Sequence, residues 1–145
     1  MINEGYIDRV KALARLAAEE NEFPVAALVI QDDQVIAEGR NQKESLNDPT
    51  AHAEVLAIRE AVKHHGDWRL TGTTLLTTLE PCPMCLGAII HARIKTIVYL
   101  AKDIRWGACG SVMDFSSHPM LNHRCELFYQ PDDEVVALMK NFFRK

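Results

Sequence analysis

Two short motifs constrain this chain more than any other feature of its sequence. The triplet His52-Ala53-Glu54 carries an imidazole and a carboxylate, and the segment from Pro81 to Cys85 carries two thiols in a Cys-x-x-Cys spacing. Imidazole and thiolate groups are ligands that zinc prefers in proteins. If one ion is bound by both motifs, the fold must bring two segments that are distant in sequence together at one point.

The number of ligands favours a catalytic zinc site over a structural one. His52, Cys82 and Cys85 supply three protein ligands, and a zinc ion held by three ligands keeps one coordination position for water. Glu54 is then free to transfer protons, which is general acid–base catalysis. The two motifs therefore predict a hydrolytic zinc enzyme, with Glu54 as its catalytic residue.

Two further cysteines leave alternatives open. Cys109 or Cys125 could complete a four-ligand structural site, and a Cys-x-x-Cys motif could also be redox-active. We expect both cysteines to be small packed side chains, because a structural site would leave Glu54 without a role. Residues 1–5 do not resemble an export signal, so the cysteine pattern favours metal binding in a reducing cytoplasm.

Length and composition are those of an ordinary globular domain. The 145 residues are 48% hydrophobic and 25% charged, so we expect a single domain over residues 1–145. No apolar run approaches the roughly 20 residues that span a bilayer, and we expect no membrane partner. The net charge of −4 argues against a general nucleic-acid binder. However, residues 61–145 carry 10 Lys and Arg against 8 acids, a balance that fits either a phosphate-binding face or a solvated one.

Hydrophobic periodicity predicts alternating strands and helices. The expected elements are a helix over 6–17, a hairpin of strands 25–30 and 35–39, a helix over 51–64, a strand over 73–79, a helix over 86–92, strands over 96–100 and 126–129, and a helix that starts at about 132. This alternation is typical of an α/β sandwich. Both motifs then lie where a strand leads into a helix.

Helix starts explain how the motifs reach one site. Residues two apart in the middle of a helix point to different faces, so His52 and Glu54 can share a pocket only from a first turn. The same holds for Cys82 and Cys85. A helix N-terminus carries roughly half a positive charge, which lowers the pKa of a cysteine and favours the thiolate that binds metal. We therefore expect two helix N-termini to converge on the ion.

The chain resembles the cytidine deaminase superfamily over nearly its whole length, and most closely the bacterial tRNA-specific adenosine deaminases. The resemblance rests on segments 23–25, 47–54, 78–85, 110–114, 118–124 and 142–144, together with Asn41. It implies a three-layer α/β/α sandwich with a central mixed five-stranded sheet and one zinc ion per subunit. It also implies a homodimer that converts adenosine to inosine at the wobble position of a tRNA anticodon stem-loop.

The resemblance also implies substrate contacts. Asn41 would contact the target base or its ribose, and the backbone around Ala53 would help to hold the purine. Asp103 and its basic neighbours, with Phe143 and Arg144, would meet the splayed anticodon loop. Loop bases are unstacked at low cost and read in pockets, so we expect an RNA loop and not a DNA duplex as the substrate.

Three positions, at which the chain has a larger residue than expected, bear on substrate choice. Ala26 and Leu100 stand where the resemblance predicts glycine, and Trp106 stands where it predicts a smaller residue. Added bulk beside a base pocket could narrow or redirect the choice of substrate. We expect Trp68 to lie in the core, whereas Trp106 could lie in the core or stack on a base.

Two other functions fit the same motifs. A free nucleobase or nucleoside deaminase of the same fold, acting on guanine or cytosine, would keep the zinc ligands. The segment 122–124 and the aromatic and basic C-terminal segment argue against it, because a small base needs no such surface. A catalytically silent RNA-binding partner would keep the fold, but the intact Glu54 argues against that function.

Overall fold

The computed structural model describes residues 2–143 of the chain. The helices and strands within this range are α1 (Glu4–Glu19), β1 (Ala26–Gln31), β2 (Gln34–Arg40), α2 (Ala53–His65), β3 (Thr74–Thr77), α3 (Pro83–His91), β4 (Thr96–Tyr99), β5 (Glu126–Tyr129) and α4 (Asp133–Phe142). Each predicted strand and helix is present, so the sequence-based assignments of element type are confirmed. The observed boundaries differ from the predicted ones by a few residues at most.

The five strands form one mixed sheet in the order β2-β1-β3-β4-β5. Strand β1 pairs antiparallel with both β2 and β3, whereas β3, β4 and β5 pair in parallel. Consequently β2, β3 and β4 run in the same direction and end at the same edge of the sheet. The segments that follow these three strands therefore meet at that edge, which is the usual ligand-binding edge of an open α/β sheet.

Helices cover both faces of the sheet. Positions 26–30 of β1 are all buried, as expected for a strand that is covered on both sides. Helices α1 and α2 each pack against β1 and β2, while α3 packs beside α2 and α4 packs beside α1. The predicted three-layer α/β/α sandwich is confirmed.

Local sequence explains where the elements begin and end. The Asn3 side chain accepts a hydrogen bond from the backbone N–H of Gly5 at 2.7 Å and caps the start of α1. Asp32 and Asp33 have φ values of 50° and 60° between β1 and β2. Two successive positive φ angles are typical of the tight turn that joins hairpin strands. Gly66, at φ 82°, ends α2 in the left-handed conformation.

The structure separates the three larger residues and Trp68 into two groups, one buried and one exposed. Ala26 and Leu100 are fully buried. The expectation that Trp68 lies in the core is wrong, because its side chain is 50% exposed and the Arg69 guanidinium lies 4.4 Å from the centre of its ring. Trp106 is 65% exposed and so is not a core residue either.

Within residues 2–143, none of the helices combines the length and the apolar character needed to cross a membrane.

A close contact between β2 and α2 gives a prediction about stability. A Cβ atom at Gly39 would lie 2.4 Å from the Ala53 carbonyl oxygen and 2.7 Å from the Ala57 backbone nitrogen. We expect Gly39→Ala to lower the free energy of unfolding by about 1–3 kcal/mol, because backbone atoms of α2 would have to move. Urea unfolding of the zinc-loaded protein measures the change.

Gly87 provides the matched control for this substitution. It lies inside α3, and a Cβ atom added there would have no neighbour within 4 Å. Gly87→Ala should raise the free energy of unfolding by about 0.5–1 kcal/mol through helix propensity. Equal effects of the two substitutions would contradict the proposed close approach of α2 to β2.

Candidate active site

Two helices begin at residues that the sequence motifs singled out. His52 is the N-cap of α2 and Cys82 is the N-cap of α3, and both have extended backbone conformations. Neither side chain caps its own helix, so both side chains are free to project from the helix end. Pro83 follows at the first helical position of α3, where its missing N–H costs no hydrogen bond.

The ligand atoms are close enough to share one ion. His52 Nδ1 lies 3.4 Å from Cys85 Sγ and 3.7 Å from Cys82 Sγ. Zn–N and Zn–S bonds of normal length at a tetrahedral angle place nitrogen and sulfur about 3.6 Å apart. The two observed distances lie on either side of this value, so the donor set and its dimensions fit zinc.

This trio is the one group of its kind in the described part of the chain. Within residues 2–143, His52, Cys82 and Cys85 are the only set of three or more potential metal ligands whose donor atoms lie within 4.8 Å of one another. Cys109 and Cys125 are buried and belong to no such group. The Cys125 thiol donates to the Ile94 carbonyl oxygen at 3.3 Å, which agrees with the expectation of small packed cysteines.

The pKa values of the two thiols in the cluster are shifted in opposite directions. The pKa of Cys82 falls to about 4, because its sulfur accepts hydrogen bonds from the Cys85 thiol and from His52. The pKa of Cys85 is raised, because its thiol donates to Cys82 and because it is buried. The pKa of His52 is raised by its hydrogen bond to Cys82, despite the opposing effect of burial. Cys82 is therefore the more acidic of the two thiols, and metal binding would release the proton of Cys85.

Glu54 lies beside the cluster in the first turn of α2. Its side chain lines the same cavity as His52 and Cys82 but is only 3% exposed. Burial raises the pKa of Glu54 to about 7, since a carboxylate loses hydration there. A carboxyl group with such a pKa can both accept and release a proton at neutral pH.

A cavity of about 540 Å³ opens over this cluster. It is lined by three of the residues that the family resemblance assigned to substrate binding, Asn41, Asp103 and Phe143. Ala53 contributes through its backbone, because its N–H donates to Asn41 Oδ1 at 2.8 Å and so orients the Asn41 side chain. Arg144, the fifth residue assigned, lies outside the described residues.

Sequence analysis did not identify several other residues that line the cavity. These are Phe23, Val25, Lys43, Pro49, Leu79, Glu80, Pro83 and Met84, together with Trp106, whose location the sequence left open. Most are apolar, and although all but Lys43 and Trp106 lie in segments that carry the family resemblance, the sequence assigned none of them a role in the site. Lys43 lies near the cluster without any spacing that connects it to His52, so only the tertiary structure could assign it to the site.

Glu80 is a buried carboxylate that holds one wall of the cavity. It accepts hydrogen bonds from the backbone N–H groups of Asp103 at 3.1 Å, Cys109 at 3.0 Å and Ser111 at 3.1 Å. A Cβ atom at Gly107 would lie 2.5 Å from the Glu80 carboxyl carbon. Glu80 therefore fixes the loop of residues 102–111, through partners that lie more than 20 residues away in the sequence.

Glu22 plays a similar part on another loop. It is buried and accepts hydrogen bonds from the backbone N–H groups of Glu44 at 3.1 Å and Ser45 at 2.8 Å. Although burial raises the pKa of Glu22, these donors outweigh that effect and leave the pKa below its usual value. Glu22 thereby anchors the segment that carries Lys43 and Pro49 into the cavity.

The fold and the cluster together define an α/β protein with a three-ligand metal site. The family model for the cytidine and deoxycytidylate deaminase zinc-binding region matches residues 2–101, which include Glu54 and the three ligands. The chain belongs to this family. It is 40% identical over 132 residues to the tRNA-specific adenosine deaminase of Aquifex aeolicus (strain VF5), a match that covers 91% of the chain and 87% of that relative.

Solved structures agree with this family membership. One comes from work on A-to-I editing by tRNA:A34 deaminases and matches with a TM-score of 0.83 and 40% identity, over 87% of this chain and 97% of that one. The guanine deaminase from Bacillus subtilis matches with a TM-score of 0.67 and 33% identity, over 100% of this chain and 96% of that one. The predicted family, fold and zinc cofactor are confirmed.

The four cysteines give a direct test of the ligand set. We expect Cys82→Ser and Cys85→Ser to weaken zinc binding by more than about 100-fold, because loss of a ligand should cost more than loss of a group that merely supports one. Cys109→Ser and Cys125→Ser should keep a full complement of zinc. Metal analysis of the purified variants, with chelator competition, provides the measurement. Zinc loss from a folded Cys109→Ser or Cys125→Ser protein would contradict this assignment.

Proposed function

We propose that this chain hydrolyses adenosine to inosine at the wobble position of a tRNA anticodon loop. The observation that carries the proposal is one cavity with three features. It is lined by the metal-ligand cluster, by the buried carboxyl group of Glu54 and by the exposed side chain of Trp106. Relatives named as tRNA-specific adenosine deaminases, which align with nearly the whole chain, support this substrate. The reaction consumes one water and releases ammonia.

In this proposal His52, Cys82 and Cys85 hold one zinc ion in each subunit. A zinc ion with three protein ligands lowers the pKa of a bound water to about 7 and so supplies a nucleophile at neutral pH. The N-terminal ends of α2 and α3 carry positive partial charge, which stabilises the two thiolates that the site requires. Burial of Cys85 keeps this sulfur away from solvent.

Glu54 moves the protons. Its carboxylate accepts a proton from the attacking water and delivers it to N1 of the adenine ring. The remaining proton of the hydroxyl group added at C6 then passes through Glu54 to the departing amino group, so that the bond between C6 and the amino nitrogen breaks, C6 becomes a carbonyl and ammonia leaves. A pKa of about 7 suits a group that must act as base and acid in one cycle.

The substrate contacts follow the family resemblance. Asn41 contacts the target base or its ribose from a side chain already oriented by its hydrogen bond with Ala53. Asp103 and Phe143 meet the flanking part of the loop from the cavity rim. We assign Arg144 to the same contact on the basis of the sequence alone.

The proposal also covers the domain organisation, the oligomeric state and the cellular compartment. We infer that residues 1–145 form a single domain and that the enzyme is a cytoplasmic homodimer. Four large apolar side chains after β4 are exposed and support a dimer, since a second subunit would cover them. They are Ile104, Val112, Met113 and Met120.

One observation favours a second candidate function. The guanine deaminase structure matches the chain along its entire length at 33% identity, and a free base needs only the zinc cluster, Glu54 and part of the cavity. Deamination of free guanine or cytosine is therefore the alternative, and an activity assay must distinguish it from deamination of the tRNA anticodon loop.

The substrate assay compares these two functions directly. We expect the zinc-loaded protein to form inosine in an anticodon stem-loop RNA that carries adenosine at the wobble position, with free guanine and cytosine unchanged. Mass spectrometry of the digested RNA and of the free bases measures both products. Turnover of guanine or cytosine, with no stem-loop converted, would contradict the proposal.

Substitution of Glu54 tests its role as proton carrier. We expect Glu54→Gln to lower kcat by about 10²–10⁴-fold while the zinc content stays complete, because the amide keeps the shape but cannot carry the proton. Single-turnover assays with metal analysis measure both quantities. Glu60→Gln, at an exposed position of the same helix, is the control and should leave kcat unchanged. Full activity of Glu54→Gln would contradict the assigned role.

A further inference from the structure

Trp106 is unusually exposed for such a large aromatic side chain. Its indole lines the cavity that also contains His52 and Glu54, yet 65% of the residue is exposed. Large aromatic side chains bury much apolar area when they find a partner. Among the described residues, no side chain stacks on this ring.

The loop holds Trp106 in a defined position. The Asp103 carboxylate accepts a hydrogen bond from the Trp106 backbone N–H at 3.1 Å, and the Asp103 carbonyl oxygen accepts one from the N–H of Gly107 at 2.9 Å. Gly107 in turn packs against Glu80. The backbone that carries the indole is therefore held in place, which reduces the conformational entropy that the loop loses on binding.

The charges around Trp106 suit a nucleic-acid strand. Lys102 and Arg105 are exposed on the same loop, and Lys43 lines the cavity. Cationic side chains position phosphates, while aromatic rings take unstacked bases. An aromatic ring at the rim of a base pocket, with cations beside it, matches a single strand with splayed bases.

Trp68 shows by contrast what a tryptophan without this role looks like. It is half exposed but lies outside the cavity. The guanidinium groups of Arg69 and Arg93 lie 4.4 and 5.7 Å from the centre of its ring. Its face is thus already in contact with side chains of the protein.

We propose that the Trp106 indole is a stacking platform for the nucleobase next to the target adenosine. This inference rests on the proposed function and specifies it. The platform selects a strand with a neighbouring base over a free base or nucleoside, which has nothing to place on the ring. Trp106 is therefore a specificity-determining residue that acts on binding and not on the chemical step.

Kinetics with modified stem-loops test the platform. Trp106→Ala should raise KM for the intact stem-loop by about 5- to 150-fold, the expected loss for one stacked base, with little change in kcat. Trp106→Phe should keep most of the affinity, because it retains an aromatic face. Trp68→Ala is the matched control and should behave as the unaltered protein.

Abasic substitution of the RNA identifies the stacking partner. Replacing each nucleotide beside the target in turn by an abasic residue should weaken binding by the unaltered enzyme at one position. At that position Trp106→Ala should add no more than about a twofold effect, because the partner is already absent. An undiminished effect of Trp106→Ala on both abasic RNAs would overturn the inference.

Fluorescence reports the contact independently of turnover. In a Trp68→Phe, Glu54→Gln protein, Trp106 is the only tryptophan, and the intact stem-loop should quench its emission more than the abasic one. Equal quenching by the two RNAs, or an unchanged KM for Trp106→Ala, would overturn the stacking role alone. If the unaltered enzyme converts no stem-loop, the proposed function itself fails, and the two failures are thereby distinguished.

Discussion

The structure depends on the convergence of two helix N-termini at one edge of the sheet. Each helix begins at a ligand, His52 for α2 and Cys82 for α3, and neither side chain is used to cap its own helix. The positive end of each helix faces the sulfurs, which favours thiolate there. Gly39 allows α2 to lie in direct contact with β2, so the position of His52 relative to the sheet is set by backbone packing.

Three buried glutamates near the metal-ligand cluster have two different roles. Glu22 and Glu80 accept hydrogen bonds from backbone N–H groups and hold the loops that form the cavity. Glu54 instead lines the cavity beside the cluster, and burial raises its pKa to about 7. The same chemical group is therefore a fixed anchor where several N–H donors surround it, whereas at Glu54 burial dominates and gives a pKa that suits the proton transfer we propose.

The loops, and not the zinc cluster, are the place where substrate choice would be made. Solved relatives of this fold include a tRNA:A34 deaminase and a guanine deaminase. The cluster and Glu54 suit attack on either ring. Trp106 and its cationic neighbours differ from the cluster and Glu54, because they extend the binding site beyond the space that a single base occupies. A rigid aromatic rim adds binding energy for a strand and none for a free base.

Periodicity and spacing in the sequence determined the element types, the ligand set and the free acid, because these are local properties of helices, strands and donor chemistry. The family resemblance added the order of the layers and the substrate contacts. Only the tertiary structure decided that Lys43, Glu80 and Trp106 belong to the site, since they come from loops that meet where three strands end. It also corrected the expected burial of Trp68, because contact with two arginines stabilises a ring at the surface and depends on positions that no local pattern encodes.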